Sequence, residues 1–507
     1  MREGEGFRPI SWDEAIGIAA ARLKEAVERY GADAVGGLSS AKCTNEENYL
    51  FQRLIRAAFK TNNVDHCARL CHAPTTVAMV QTLGSGAMTN SIRDLAGAEF
   101  LLVIGSNAAE SHPVLMGEIY RAIDRGARLV VVDPRRTAVA QNAADHLRIR
   151  PGTDIPLLCG MMRHLIDAGL IDDVFIRART EDFEPFLECI LGWTVEHAAQ
   201  ETGIPAEKIR ETAERYARAK EAAIVYCMGI TQHACGTANV IALCDLAMLC
   251  GQVGKEFSGI YPLRGQNNVQ GACDMGALPN VYPAYQAVGD PAVREKFEKA
   301  WGVEGLADRP GLTVTEMISR AGADIRALYI MAENPMLSDP DATHVQESLK
   351  KLDFLVVQDI FLTETARLAH LVLPGACFAE KAGTFTNTER RFQLLRRAVS
   401  PPGGARDDFA VLRRMSEALG VPVPYAEPAA AMEEIGALCP PYGGIRHERL
   451  ERTGLQWPCP EPDHPGTRFL HKDRFTRGLG RFVRPDYTPP MEMPDAEYPF
   501  YLNTGRM

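Results

Sequence analysis

The sequence predicts an α/β protein with two interleaved doubly wound, Rossmann-like domains and a smaller mixed region after about residue 379. Short apolar runs that end in glycine, such as Phe100–Ile104 before Gly105, are typical of strands buried in a parallel sheet. Stretches with helical periodicity separate these runs. Strands that alternate with helices build parallel sheets covered on both faces, which is the doubly wound arrangement.

The elements follow one another in that alternating order. The segment Ser11-Trp12-Asp13-Glu14 has the capping-box pattern that begins a helix, and Gly31 is expected to end it. The side chains of this helix predicted to face the core are Ile16, Ala20, Leu23 and Val27. The pattern also predicts a strand over residues 34–38 and helices over residues 49–59 and around 114–123. Along the chain, the first two precede the strand that ends at Gly105, and the last follows it. Further strands are predicted over residues 128–134, 222–228, 325–331 and 354–357.

Composition limits the function classes. At 507 residues the chain is too long for one core and should hold two to four domains. Its 46% hydrophobic and 24% charged residues are an ordinary globular balance. A net charge of −10 argues against a nucleic-acid surface, which needs clustered Lys and Arg. No apolar run approaches the roughly 18 residues that cross a bilayer, so no membrane insertion is expected.

The 13 cysteines contain no C-x-x-C pair. An odd, dispersed set indicates a reducing compartment and buried thiols rather than disulfides. Cys244 and Cys250 flank an apolar helical segment and are assigned to the core. Cys67, one helical turn before Cys71, is assigned a structural role.

One pair of residues stands apart from this pattern. Cys71-His72 places a soft thiolate donor, suited to a high-valent metal, beside an imidazole that can accept or deliver a proton. Far downstream, the polar cluster from Arg264 to Gly271 offers a fixed cation that could hold a small anion over a metal. Taken singly, a core cysteine, a surface histidine and a structural arginine remain the alternatives.

Polar residues follow five of the predicted strands, where doubly wound folds bind nucleotides. Any single such residue could be a turn former, but five endings together favour a large, multi-part nucleotide cofactor. The sequence has no G-x-G-x-x-G, so an NAD fingerprint is missing. The candidate cofactor-binding residues are Gly105, Asn107, Asp133, Arg135, Met228, Gly229, Gln232, Glu333, Asn334, Pro335, Gln358, Asp359 and Thr363.

The Cys71 and Arg264 segments together resemble the molybdenum- or tungsten-dependent formate dehydrogenases of the molybdopterin oxidoreductase family. The resemblance spans nearly the whole chain and is most specific in these two segments. It implies that Cys71 ligates the metal, that His72 assists catalysis and that Arg264 binds formate. It also implies that Gly265, Gln266 and the strand-end residues line two molybdopterin guanine dinucleotides, and that a [4Fe–4S] cluster carries electrons away.

The resemblance further implies a reaction and its partners. Arg264 would hold the formate carboxylate while the oxidised centre accepts a hydride equivalent and CO2 leaves. His72 would move the proton or hold the substrate. An iron–sulfur or flavin subunit would take the electrons. The sequence does not distinguish molybdenum from tungsten, and it does not determine the direction of the reaction or the electron acceptor.

The resemblance also implies a domain organisation. Residues 1–66 with 267–378 would form one domain, residues 67–266 the other, and residues 379–490 a remnant of the iron–sulfur region and a linker. Residues 491–507 would begin a C-terminal domain whose first strand lies over 498–507. On this view the chain is a central fragment without the four-cysteine cluster motif, expected to carry little metal by itself. A cytoplasmic location is expected, with the periplasm left open.

Three alternatives remain. Another reaction of the same cofactor family, chiefly nitrate reduction, also uses a cysteine ligand, but the adjacent His72 and the distant Arg264 count against it. A complex I-like scaffold would keep the fold without molybdenum, but the intact Cys71, His72 and Arg264 disfavour it. A catalytically inert fragment is the third alternative.

Overall fold

The computed structural model describes residues 1–503 and groups the chain into two compact units. The first unit contains Met1–Leu70 and Gln266–Thr467, and the second contains Cys71–Gly265 and the segment from Arg468 onward. The changeovers predicted after residues 66 and 266 lie after Leu70 and Gly265. Residues 379–490, predicted as a separate region, are instead divided between the two units at Thr467.

Ten strands form the two main sheets and are numbered here in chain order. They are β1 (Val35–Leu38), β2 (Val64–Asp65), β3 (Phe100–Ile104), β4 (Arg128–Val132), β5 (Asp145–Leu147), β6 (Ala222–Tyr226), β7 (Gly259–Pro262), β8 (Ala327–Met331), β9 (Phe354–Asp359) and β10 (Leu371–Pro374). Every neighbouring pair within these two sheets is parallel.

The first unit has the sheet order β2-β1-β8-β9-β10. The order reverses between β1 and β8, and such a switch point opens a crevice at the carboxyl ends of the strands. A three-stranded antiparallel sheet of Gly383–Thr386, Arg391–Leu395 and Leu455–Gln456 forms the smaller mixed part. The helices are Trp12–Tyr30, Asn45–Phe59, Val269–Asp274, Pro291–Trp301, Val314–Ser319, Pro335–Ser338, Ala342–Leu349, Asp408–Ala418 and Pro428–Leu438.

The second unit has the order β7-β6-β3-β4-β5, which reverses between β3 and β6. Alternate residues of β3 pack into two different apolar clusters: Leu102 and Ile104 into one, Leu101 and Val103 into the other. Both faces are therefore covered, which explains the continuous apolar run. The helices are Ala73–Leu83, Ala108–Ser111, Pro113–Asp124, Ala138–Gln141, Asp154–Asp167, Asp173–Arg179, Phe183–Leu191, Val195–Thr202, Ala206–Arg218, Met228–Thr231 and Gly236–Leu249.

The structure corrects two predictions about how helices begin. Ser11 Oγ accepts from the Glu14 backbone N–H as predicted, but the Glu14 side chain pairs with Arg8 at 3.5 Å. The second helix begins at Asn45, four residues before the predicted start, because Thr44 and Glu47 form a complete capping box.

Three further details differ from the sequence predictions. Ala26 is buried in the first helix, whereas Val27 is only partly buried. The strand predicted to reach residue 228 ends at Tyr226, and Met228 begins a short helix. Residues 498–503 form no strand, and residues 504–507 lie outside the described part of the chain. No helix within the described residues is long and apolar enough to span a bilayer.

Candidate functional site

The residues singled out from the sequence lie at the carboxyl edges of the two parallel sheets or on segments adjoining them. The second unit carries Cys71, His72, Gly105, Asn107, Asp133, Arg135, Met228, Gly229, Gln232, Arg264 and Gly265. The first unit carries Gln266, Glu333, Asn334, Pro335, Gln358, Asp359 and Thr363.

Cys71 and His72 directly precede the helix Ala73–Leu83 and are both buried, at 7% and 1% exposure. His72 Nε2 lies 3.0 Å from the carbonyl oxygen of Leu263, and Nδ1 lies 2.9 Å from Thr75 Oγ1. Because a carbonyl can only accept, Nε2 carries the hydrogen, and Nδ1 accepts from the Thr75 hydroxyl. The ring is thus held in one orientation and one tautomer.

The electrostatics of His72 agree with this hydrogen bonding. Burial, followed by the positive charge of Arg264, lowers the pKa of His72 to about 3, while the hydrogen bond to Leu263 opposes the shift. The imidazole is therefore neutral near neutral pH. A proton can reach Nδ1 only at the position held by the hydrogen of the Thr75 hydroxyl.

Arg264 is buried, with 4% exposure. Its Nη2 donates to the carbonyl oxygen of Gly86 at 2.8 Å, and its own carbonyl oxygen accepts from His112 Nε2 at 3.0 Å. Both the backbone and the guanidinium are therefore fixed. Since Leu263 precedes Arg264 and bonds His72, the structure brings the two predicted segments together inside one unit.

Four neighbours of this arrangement were not predicted: Cys227, Tyr226, His112 and Thr75. Cys227, assigned to the scattered thiols, donates its S–H to Leu263 O at 3.0 Å, with its sulfur 4.0 Å from His72 Nε2. Tyr226 OH lies 3.0 Å from Thr75 Oγ1. His112 Nε2 donates to the carbonyl oxygen of Arg264. Only Thr75 had a signal in the sequence, its helical spacing of three residues from His72, because the others depend on long-range contacts.

The switch point of the second unit is built on two glycines. Gly105 directly follows β3 with φ +57°, and its carbonyl oxygen accepts from the Gly229 backbone N–H at 3.0 Å. A Cβ on Gly229 would lie 2.6 Å from Gly105 Cα, and one on Gly105 would lie 2.7 Å from the Gly229 carbonyl carbon. Only bare backbone fits here, which leaves the strand ends open for close approach by a ligand.

Polar atoms around this switch point are shielded from solvent and lack partners among the described residues. They are Ser106 Oγ, both amide atoms of Asn107, His112 Nδ1 and Thr231 Oγ1. Native proteins rarely leave such atoms unpaired, so the set is suited to a bound polar group. Asp133 is also placed here, and its Oδ1 accepts from Arg135 N at 2.7 Å. Burial raises the pKa of Asp133.

Four other candidates of the second unit have less enclosed positions. Arg135, Gln232 and Gly265 are exposed, and Met228 is half-buried at the start of its helix. A Cβ on Gly265 would meet no atom within 4 Å, so this glycine is not required by packing.

In the first unit, Glu333 stands after β8 at the switch point. Burial raises the pKa of Glu333 to about 8, against the opposing hydrogen bond with Cys67. Cys67 Sγ also accepts from Gln266 Nε2 at 2.8 Å. Asn334 Oδ1 accepts from the Thr365 hydroxyl at 2.7 Å, and Pro335 begins the helix that follows. These contacts fix the loop after β8.

The remaining candidates follow β9. Gln358 is buried and its amide is engaged on both sides, by Asp408 and by the Tyr329 hydroxyl. Asp359 Oδ1 accepts from the backbone N–H of Ile360 at 2.7 Å, and Thr363 Oγ1 accepts from Ala366 N at 3.1 Å. The structure therefore gives Gln358 a core position and gives Asp359 and Thr363 turn-forming contacts.

The comparison with protein families gives a match over most of the chain. Residues 1–418 match the family model described as "Molybdopterin oxidoreductase". Among solved structures, acetylene hydratase from Pelobacter acetylenicus matches with a TM-score of 0.74 and 24% identity, covering 96% of this chain and 70% of that one. At that identity the structural match speaks for the fold alone.

Relatives of known name are more similar in sequence. The F420-dependent formate dehydrogenase subunit alpha of Methanocaldococcus jannaschii is 49% identical over all of this chain and 75% of its own length. A second subunit of that name, from Methanococcus maripaludis, is 46% identical over all of this chain and 74% of its own. Formate dehydrogenase H of Escherichia coli is 40% identical over all of this chain and 72% of its own. The chain belongs to the molybdopterin oxidoreductase family.

Proposed function

We propose that this chain is the catalytic subunit of a formate dehydrogenase, which converts formate to CO2, one proton and two electrons. The observation that carries the proposal is the buried His72–Leu263 hydrogen bond, which joins the Cys71 segment to the Arg264 segment. Relatives at 40–49% identity that are named formate dehydrogenases support the same substrate.

Membership of the family implies a molybdopterin cofactor that holds molybdenum or tungsten. The residues present are suited to it, because the second unit offers a buried thiol at Cys71 and a set of unpaired polar atoms around Gly105 and Gly229. We infer the guanine dinucleotide form, with one dinucleotide at each switch point. Asn107, Asp133 and Arg135 would hold one, and Glu333, Asn334 and Asp359 the other.

Arg264 is the residue that we assign to substrate binding. Its guanidinium is permanently charged and can form charge-assisted hydrogen bonds to a carboxylate. The bonds to Gly86 and His112 hold it in place before substrate arrives, so little conformational entropy is lost on binding. When bound, the metal cofactor would accept the hydride equivalent of formate, which is its two electrons together with one proton.

We assign to His72 the role of accepting the proton. Its Nε2–H is committed to Leu263 O, so the Nδ1 lone pair is the position that can take a proton, with the Thr75 and Tyr226 hydroxyls next in line. Rotation of these hydroxyls would pass a proton along the same line. Cys227, packed against Leu263 O, keeps the shared carbonyl in position.

The names of the relatives as alpha subunits indicate that further subunits accompany such chains. We propose that an iron–sulfur or flavin subunit accepts the electrons here, that a [4Fe–4S] cluster stands on the electron path and that the enzyme works in the cytoplasm.

The substrate assignment is tested by replacing Arg264 with lysine in the cofactor-loaded enzyme. Lysine keeps the charge but loses the planar fork, so the KM for formate should rise about tenfold or more. The matched control is Arg163→Lys, a half-buried arginine of the helix Asp154–Asp167 that pairs with Asp167, which should leave KM unchanged. An unaltered KM for formate in Arg264→Lys would remove Arg264 from the substrate site.

A further inference from the structure

A cavity of the first unit lies at the opposite sheet edge from the candidate cofactor residues. It has a volume of about 530 Å³. Its lining comes from segments that precede β1, β2 and β8, together with the loop 307–312. Parallel strands expose their amino ends along this edge, whereas Glu333 and Asp359 follow the carboxyl ends. The cavity is therefore separate from the switch point.

The loop side of the cavity is held by two buried asparagines. Asn62 Nδ2 donates to Arg309 O at 2.8 Å, and Asn63 Oδ1 accepts from Leu312 N at 2.8 Å. Gly311 allows this close approach, because a Cβ there would lie 2.1 Å from the Asn62 carbonyl oxygen. The wall that carries Arg309 is thus built into the fold.

The charged lining is three arginines and two aspartates: Arg309, Arg320, Arg326, Asp33 and Asp324. Arg309 pairs with Asp33 at 2.9 Å and Arg320 with Asp324 at 3.5 Å, and both pairs are exposed to solvent. Exposed pairs of this kind are weak and exchange readily. The lining is net positive in a chain whose net charge is −10.

Arg326 is different from the other two. Within residues 1–503 its guanidinium lies over the Tyr30 ring, 4.9 Å from the centroid, and forms no ion pair with a carboxylate. Its backbone is fixed, because its N–H donates to Ala34 O at 2.8 Å and its carbonyl oxygen accepts from Asp353 N at 2.9 Å. Arg326 is therefore a half-buried cation on a fixed backbone, and its guanidinium donors are not engaged by a carboxylate.

We propose that this cavity binds a small phosphorylated compound carrying two or more negative charges, held by Arg326 with Arg309 and Arg320. Guanidinium donors match phosphate oxygens in pairs, and a multiply charged anion relieves the repulsion among three cations around one space. The volume lies in the range of small-molecule sites, roughly 300–1,000 Å³. The site is independent of the formate chemistry and of the molybdopterin cofactor.

The test is titration calorimetry of the full 507-residue chain with pyrophosphate, and with ADP in a second arm. Arg326→Ala should weaken pyrophosphate binding at least about tenfold, and Arg326→Lys should recover it only in part. Tighter binding of ADP than of pyrophosphate would identify a nucleotide as the source of the phosphate, and equal binding would identify an inorganic one.

Two control variants separate this cavity from other sites. Arg29→Ala removes an arginine that stacks on the same Tyr30 ring but does not line the cavity, and Arg135→Ala removes a candidate cofactor contact of the second unit. Both should bind pyrophosphate as the wild type does. If Arg326→Ala does not fold, as judged by circular dichroism, the exposed double variant Arg309→Ala/Arg320→Ala replaces it. Wild-type affinity in the cavity variant, loss of binding in Arg135→Ala, or no binding by the wild type at millimolar pyrophosphate would each overturn the proposal.

Discussion

At the scale of single residues, the structure gives His72 a narrower role than the sequence did. The motif predicted a histidine that moves a proton or holds substrate. The contacts show a neutral ring with one nitrogen committed to Leu263 O and the other dependent on the Thr75 hydroxyl. The hydroxyl of Thr75 therefore decides whether Nδ1 is available, which makes it the residue to change.

Thr75→Val keeps the shape of the side chain and removes the hydroxyl that bonds His72 Nδ1. We expect the kcat for formate oxidation to fall about tenfold or more, since a positioned proton carrier contributes roughly that much or more. The control is Thr82→Val in the same helix. The Thr82 hydroxyl donates to the carbonyl oxygen of Ala78 within that helix, so kcat should stay unchanged when it is lost. An unchanged kcat in Thr75→Val, measured with the cofactor-loaded enzyme, would exclude the relay through Nδ1.

At the scale of elements, a buried charge cluster joins three parts of the first unit. Lys381 Nζ lies 2.8 Å from Glu47 Oε2 and 2.7 Å from Asp408 Oδ2, with all three side chains nearly inaccessible. Asp408 in turn engages Gln358 at the end of β9. The cluster thus ties the start of the helix Asn45–Phe59 to the edge where Asp359 and Thr363 lie.

Lys381→Met should destabilise the first unit by about 3–5 kcal/mol, because it leaves two carboxylates buried without their cation. The triple variant Lys381→Met/Glu47→Gln/Asp408→Asn removes the charges together and should recover part of that loss. Lys350→Met, at an exposed helix end, is the matched control and should change stability by about 0.5 kcal/mol or less. Thermal unfolding followed by circular dichroism reports the differences, and a Lys381→Met midpoint equal to wild type would refute the assignment.

The close approach of the β3 and β6 ends at Gly105 and Gly229 leads to a second prediction at the scale of elements. Gly229→Ala places a methyl group 2.6 Å from backbone, so the carboxyl ends of β3 and β6 must separate. We expect molybdopterin content per protein to fall severalfold, as measured by fluorescence of the oxidised pterin. Gly17→Ala, in a helix with no atom within 4 Å of the new methyl, should retain full content and gain stability of about 1 kcal/mol.

At the scale of the whole molecule, the sequence predicted the two parallel sheets well because buried parallel strands are continuous apolar runs. β3 and β4 were located to within two residues for this reason. Contacts made between distant segments were not predictable. Cys227 was treated as one thiol among many, and nothing local marks its contact with Leu263 O. Gln358 was predicted to bind the cofactor, whereas its side-chain amide forms hydrogen bonds in the core with Asp408 and Tyr329.

One buried acid gives a pH dependence of global stability. Asp245 lies in the second unit, where Oδ1 accepts from Val483 N at 3.3 Å, and burial raises the pKa of Asp245 well above 3.8. A raised pKa means that the folded state holds a proton that the unfolded state has lost. The stability that this proton contributes is therefore full below about pH 4 and falls as the pH rises further.

Asp245→Asn removes that titration and keeps an acceptor for Val483. We expect the thermal midpoint of the variant to exceed that of the wild type at pH 7.5, and the difference to shrink toward zero near pH 4. Differential scanning calorimetry across this range checks the slope. A variant that follows the wild type in parallel at every pH would show that Asp245 is ionised in the folded protein.

The central claim is formate chemistry at the Cys71–His72–Arg264 site, and a dye assay of the cofactor-loaded enzyme tests it most directly. Formate should reduce an artificial electron acceptor, with molybdenum or tungsten present by elemental analysis, and nitrate should not reoxidise the reduced dye. Cys71→Ser, which replaces a soft ligand with a hard one, should lose turnover more than metal content. Nitrate-dependent dye oxidation without formate activity, or full formate activity in Cys71→Ser, would contradict the account.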